Sequence, residues 1–126
     1  MTDHADLPRP PRAEGASHLL ASARHSLGGL RRLSHETAFR HEMFAGAAGL
    51  ALLLAARASL AEIMGAAVLF LILLATEALN TAIEVIVDHL APGWAEFARD
   101  AKDLGSLAVL CLIGANLAFL VYALAT

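Results

Sequence analysis

Residues 63–88 read IMGAAVLFLILLATEALNTAIEVIVD. The first half, Ile63 to Ala75, is fit for lipid; the second carries Glu77, Asn80, Glu84 and Asp88 at spacings of three, four and four. At about 3.6 residues per turn these four side chains share one helical stripe, within roughly 80° of one another. A carboxylate at membrane depth is costly, so an acid inside a span points to function by default. Glu84 and Asp88 taken alone also fit solvated charges at a helix end, but Glu77 has no such explanation.

The rest of the chain agrees with a membrane setting. Its 126 residues leave room for one domain, 58% of them are hydrophobic and 17% are charged, a composition of the membrane class. A net charge of −3 matters less than where the basic residues lie. Residues 1–15, with Pro8, Pro10 and Pro11, read as a disordered polar tail without an apolar leader core. Insertion is therefore expected to rely on the first true span. The remainder, residues 16–126, reads as one membrane-embedded domain. Leu19, Leu20, Ala23, Leu27, Leu30 and Leu33 recur at helical intervals among Arg24, Arg31 and Arg32. That pattern predicts a basic amphipathic helix over about 16–34, lying in the headgroup layer.

Three spans are expected, over about 37–57, 63–90 and 104–125. The apolar run Met43 to Ala56 is short for a span and needs extension back toward Thr37, with Arg40 and Glu42 near the interface. Arg57 to Glu62 reads as a polar turn, Ala91-Pro92-Gly93 as a helix stop, and residues 94–103 as a charged connection. Of the nine Lys and Arg residues, only Arg57 lies between the first two apolar runs; the other eight precede the first run or fall between the second and third spans. The positive-inside rule then puts the N-terminus and the 91–103 segment in the cytoplasm and the C-terminus outside. The acidic stripe thus ends at the cytoplasmic interface.

A second motif, Ala101-Lys102-Asp103 with Gly105-Ser106, opens the third span across the loop from Asp88. Glu36, just before the first span, adds a third acidic position at the same depth. Hard oxygen donors with few nitrogens or sulfurs suit Mg²⁺, which is commonly held by one or two carboxylates plus substrate phosphates. Lys102 offers a point charge for phosphate oxygens. Glu77 lies roughly 10 Å deeper than Glu84 along the helix, where a carboxylate can take a proton from a hydroxyl arriving out of the lipid. Trp94 fits either an aromatic-belt anchor or a surface on which a base stacks. Asn116 in the third span reads as an interhelical hydrogen bond rather than a catalytic group. Cys111 stands alone in an apolar run and reads as a small buried hydrophobe. His18, His25, His35 and His41 are too scattered to suggest a metal site. No P-loop or soluble-kinase signature is present.

Together these residues resemble the small prokaryotic integral-membrane diacylglycerol kinases, a family that includes undecaprenol kinases. The match is carried by Glu77-Ala-Leu-Asn80-Thr81-Ala82-Ile83-Glu84 with Val87-Asp88, then Lys102-Asp103 and Gly105-Ser106. The stretches Ser22 to Leu30 and Glu36 to Arg40 also agree, so the likeness runs from about residue 20 to the end. His25 departs from a common tyrosine, and Gly93-Trp94-Ala95 replaces a more polar loop.

The resemblance implies an all-α membrane fold, with an interfacial helix and three transmembrane helices per subunit. It implies a homotrimer whose sites are composite between neighbours, multi-pass in the bacterial cytoplasmic (inner) membrane. The implied reaction is ATP- and Mg²⁺-dependent phosphorylation of a lipid hydroxyl, with Glu77 as general base and Glu36 and Glu84 as metal ligands. Glu36, Asn80, Glu84, Trp94, Lys102 and Asp103 would line the nucleotide site. Ser26 and Ser106, with Glu77, would meet the lipid headgroup, and Asp88 belongs to the same polar site. Diacylglycerol is the expected acceptor because Thr37-Ala38-Phe39-Arg40 looks more like that branch than the undecaprenol branch; undecaprenol is the alternative. No nucleic-acid partner is expected. Two non-enzymatic readings compete. An ion-conducting oligomer would spread its acids through the bilayer depth, and a structural subunit would leave Glu77 without a role.

Overall fold

The computed structural model describes residues 14–126, which form four helices and no strand: α1 (Ala16–Leu33), α2 (Thr37–Ala55), α3 (Leu60–Leu90) and α4 (Glu96–Ala125). The tail expected over residues 1–15 lies outside the described residues except for Glu14 and Gly15. Two units are distinguished, one ending at Arg32 and one running from Leu33 to Thr126.

In the first unit α1 has the expected amphipathic character. Leu19, Leu20, Leu27 and Leu30 are exposed, and Arg31 and Arg32 occupy the last turn, where positive charge suits the helix dipole. The Ser26 hydroxyl is spent locally, donating to the Ser22 carbonyl at 3.1 Å.

The second unit is built around the antiparallel pair α3–α4, with α2 touching both. α2 starts after Glu36, whose extended backbone forms the N-cap. It ends where Arg57 takes a left-handed φ of 58°. Ser59 then starts α3 with a capping box: its hydroxyl accepts from the Glu62 N–H at 3.3 Å, and Glu62 Oε2 accepts from the Ser59 N–H at 2.6 Å. Of the polar turn expected over residues 57–62, Arg57 to Ser59 do link the helices, while Leu60 to Glu62 already form the first turn of α3. The charged connection expected over 94–103 is shorter too, because α4 is helical from Glu96 onward. Its first turn holds an acid near the positive end of the dipole and a Glu96–Arg99 pair at i,i+3, 3.9 Å apart, both of which favour helix. Helix propensity outweighed the charge that made this stretch look like a loop.

α3 and α4, of 31 and 30 residues, are each long and apolar enough to cross a membrane, and only 11% of the apolar stretch of each is buried within the chain. At about 1.5 Å per residue α3 reaches about 46 Å, longer than the roughly 30 Å hydrocarbon core, so one of its ends projects into the interface. Apolar side chains such as Phe44, 80% exposed, and Leu71, Leu110 and Val121 lie uncovered. Surface of this kind is stable against lipid and not against water. α2 is a helix of 19 residues over the expected first span, but its apolar part is shorter than those of α3 and α4.

Close helix contact depends on small residues. Gly46 of α2 lies against the Phe70 ring, and Gly65 of α3 against the Phe119 ring of α4. Asn116 Nδ2 donates to the Leu69 carbonyl of α3 at 3.2 Å as well as to Leu112 at 2.8 Å, the interhelical bond the sequence suggested. At the far end the Thr126 hydroxyl donates to Glu62 Oε1 at 2.7 Å. Cys111 is exposed, not buried, because it falls on an uncovered face of α4.

Candidate functional site

The C-terminal half of α3 turns its polar stripe inward. Leu73, Glu77, Asn80 and Val87 are buried along one face, with Thr81 beside them. Glu77 is only 4% exposed, Glu84 is half-buried and Asp88 exposed, so the stripe runs from a covered interior to an open edge. Asn80 Nδ2 donates to Glu84 Oε1 at 3.2 Å, while Asn80 Oδ1 is buried without a hydrogen-bond partner.

Across the Ala91–Ala95 connection, α4 supplies the opposite wall. Lys102 Nζ pairs with Asp88 Oδ1 at 2.5 Å, which gives Asp88 a partner on the facing helix. Glu84 also acts electrostatically on Lys102. Gly105 follows one turn later, backed against the Asn80 amide.

α2 completes the enclosure. Glu84 and Glu36, the latter at the N-cap of α2, both act electrostatically on Glu77. A fourth acid joins them. Glu42 is 8% exposed, its Oε2 has no partner, and it interacts with Glu77. Glu42, expected near the interface from its neighbours in sequence, is covered by the packing of the helices. A signal was available: Phe39, Glu42, Gly46, Gly49 and Leu53 recur at three- and four-residue steps, the inward seam of α2. Buried unpartnered carboxylate oxygen beside a second carboxyl group is costly unless a proton or a cation lies between them.

The other expected residues are placed as follows. Asp103 and Ser106 are exposed on α4 beside Lys102 and Gly105. Trp94 is 82% exposed in the loop, which suits either reading of it. Ser26 belongs to the first unit.

Among the described residues no group of three or more His, Cys, Asp or Glu is arranged to hold a metal ion by itself. Mg²⁺ is commonly held by one or two carboxylates with phosphate oxygens supplying the rest. The carboxylates of Glu36 and Glu84 are hard oxygen donors of the kind that suits such an ion. The arrangement sets Glu84, Asp88 and the Lys102 ammonium at an open edge and the Glu77 carboxyl group in the covered interior behind them.

Residues 24–124 match the family described as prokaryotic diacylglycerol kinase. The chain is 48% identical over 108 residues to a diacylglycerol kinase of Sinorhizobium sp, covering 86% of this chain and 79% of that protein. It is 36% identical over 104 residues to a diacylglycerol kinase of Haemophilus influenzae, covering 79% of this chain and 88% of that protein.

Proposed function

This chain belongs to the prokaryotic diacylglycerol kinase family, and we propose from that premise that it phosphorylates 1,2-diacylglycerol with MgATP, giving phosphatidate and ADP. The observation that carries the site assignment is the gradient along α3, from buried Glu77 to an exposed Asp88 paired with Lys102. A lipid hydroxyl can reach the buried end from the bilayer, and a charged nucleotide can reach the open end from water.

Glu77 accepts the proton of the acceptor hydroxyl as the new oxygen–phosphorus bond forms and the bond to ADP breaks. Glu36 and Glu84 would hold Mg²⁺, which when bound neutralises charge on the phosphates and fixes their orientation. Lys102 directs its ammonium to phosphate oxygens once these compete with Asp88. Asn80 and Asp103 meet nucleotide or phosphate, Trp94 offers a stacking face, and Ser26 and Ser106 serve the lipid headgroup. We further propose a homotrimer with composite sites and three spans per subunit, α2 being the first. The N-terminus and the Ala91–Ala95 loop lie on the cytoplasmic side of the inner membrane.

The test is purified protein in detergent or lipid with radiolabelled ATP, Mg²⁺ and separate acceptors. Label in phosphatidate is expected. Label in undecaprenyl phosphate alone moves the acceptor to polyprenol, and no lipid labelling removes the activity altogether.

A further inference from the structure

Asn80 is an unusual side chain for the middle of a membrane helix, and its surroundings hold it in one pose. It is nine-tenths buried, its Nδ2 reaches Glu84 Oε1, and its Oδ1 has no partner. Rotation of a buried amide away from this pose is restrained by what packs against it, and on α4 that is Gly105. The backbone at Gly105 is ordinary helix, since Gly15 is the positive-φ glycine among the described residues. Its lack of a side chain therefore answers a need for space rather than for conformation. A methyl group at 105 would collide with Asn80 Oδ1 and stand 3.2 Å from Cγ, but only 3.8 Å from Cβ. The conflict is with the amide itself and not with the root of the side chain.

Simple helix crowding looks different in this protein. At Gly65 and Gly46 a Cβ would meet the apolar rings of Phe119 and Phe70, at 2.6 and 2.5 Å. Rings at such positions displace without breaking a polar contact. Gly65 joins the same pair of helices, α3 and α4, as Gly105 does. It is thus a control for crowding without the amide.

We propose that Gly105 is a positioning residue. Its empty Cβ position leaves room for the Asn80 carbonyl, so that Nδ2 turns to Glu84 and fixes the carboxylate that receives the divalent cation. The inference rests on the lipid-kinase reading for the role of Glu84, and it adds a residue of α4 that touches neither cation nor substrate. With Ala at 105 the amide must rotate, and Glu84 loses the hydrogen bond donated by Asn80 Nδ2 while the helix pair stays closed.

The test compares the unmodified protein with G105A, G65A, N80A and N80A/G105A in detergent micelles. Mn²⁺ in the presence of ATP is the probe, followed through the electron paramagnetic resonance of free Mn²⁺, with thermal unfolding and diacylglycerol phosphorylation measured in parallel. G105A should bind Mn²⁺ about tenfold more weakly, the order expected for one lost hydrogen bond to a charged group. G65A should lower the unfolding midpoint by as much or more and leave Mn²⁺ affinity unchanged. N80A/G105A should bind Mn²⁺ as N80A does, because a methyl at 105 then meets only an ordinary contact. Unchanged Mn²⁺ affinity in G105A overturns the proposal, as does a further loss on adding G105A to N80A. Should G105A not fold, the N80A and N80A/G105A pair decides by the same criterion. Mn²⁺ binding without lipid phosphorylation by the unmodified protein overturns the lipid-kinase reading and leaves Gly105 in its role. No Mn²⁺ binding by that protein overturns both.

Discussion

Glu77, at the buried end of the polar stripe, and Glu42 of α2 are two carboxyl groups with almost no access to water that act on each other electrostatically. As a base Glu77 acts in the chemical step, so Glu77→Gln should lower turnover by about 10²–10⁴-fold while leaving ATP affinity near its original value. Calorimetric titration with ATP checks the second half, and equal loss of binding would assign Glu77 to the nucleotide instead. Glu42→Gln presents an amide donor to Glu77 in place of an acceptor. That removes the carboxyl group acting electrostatically with the base, so turnover should fall about tenfold with helicity retained. Turnover equal to that of the unmodified protein would leave Glu42 a packing residue. At the open edge Asp88→Asn removes the partner of Lys102. Both side chains are well exposed, so stability should change by less than about 1 kcal/mol. The KM for ATP should shift several-fold because Lys102 loses its anchor, and an unchanged KM would separate Lys102 from the nucleotide.

Among the elements, α3 was the most legible, because its apolar run and its polar stripe both follow the helical period. Its start was read less well. Arg57 to Glu62 looked like a turn by charge, yet Ser59 and Glu62 are spaced as a capping box and make one. Ser59→Ala should cost about 1 kcal/mol, seen as a lower unfolding midpoint, with phosphorylation per folded protein unchanged. Lost activity at full stability would contradict a purely structural cap. This end of α3 lies about 27 Å of helical rise from Glu77 by the usual 1.5 Å per residue, which is why the two properties separate. The N-terminal turns of α4 were hidden by their charges, since polarity alone does not distinguish a solvated helix from a loop. Asn116 was read correctly because an amide inside an apolar helix has few alternatives to a bond across the interface.

For the whole molecule the exposed apolar faces of α3 and α4 require a nonpolar surrounding, and lipid supplies it. A single chain leaves Glu84 and Asp88 partly open on one side, and irregular polar surface within the hydrocarbon region is tolerated only where protein or water covers it. Association is the expected answer. Sedimentation equilibrium in density-matched detergent should give a protein mass three times 13.2 kDa; a monomer that phosphorylates lipid would remove the composite site. The membrane class, the helical fold and the stripe of Glu77, Asn80, Glu84 and Asp88 were all readable along the chain, because each depends on composition or on a period of 3.6 residues. The Lys102–Asp88 pair, the inward turn of Glu42 and the contact of Gly105 with Asn80 depend on how α2, α3 and α4 pack. Those contacts join residues distant in sequence, and their existence turns on side-chain volume at the interface, a quantity that local periodicity does not carry.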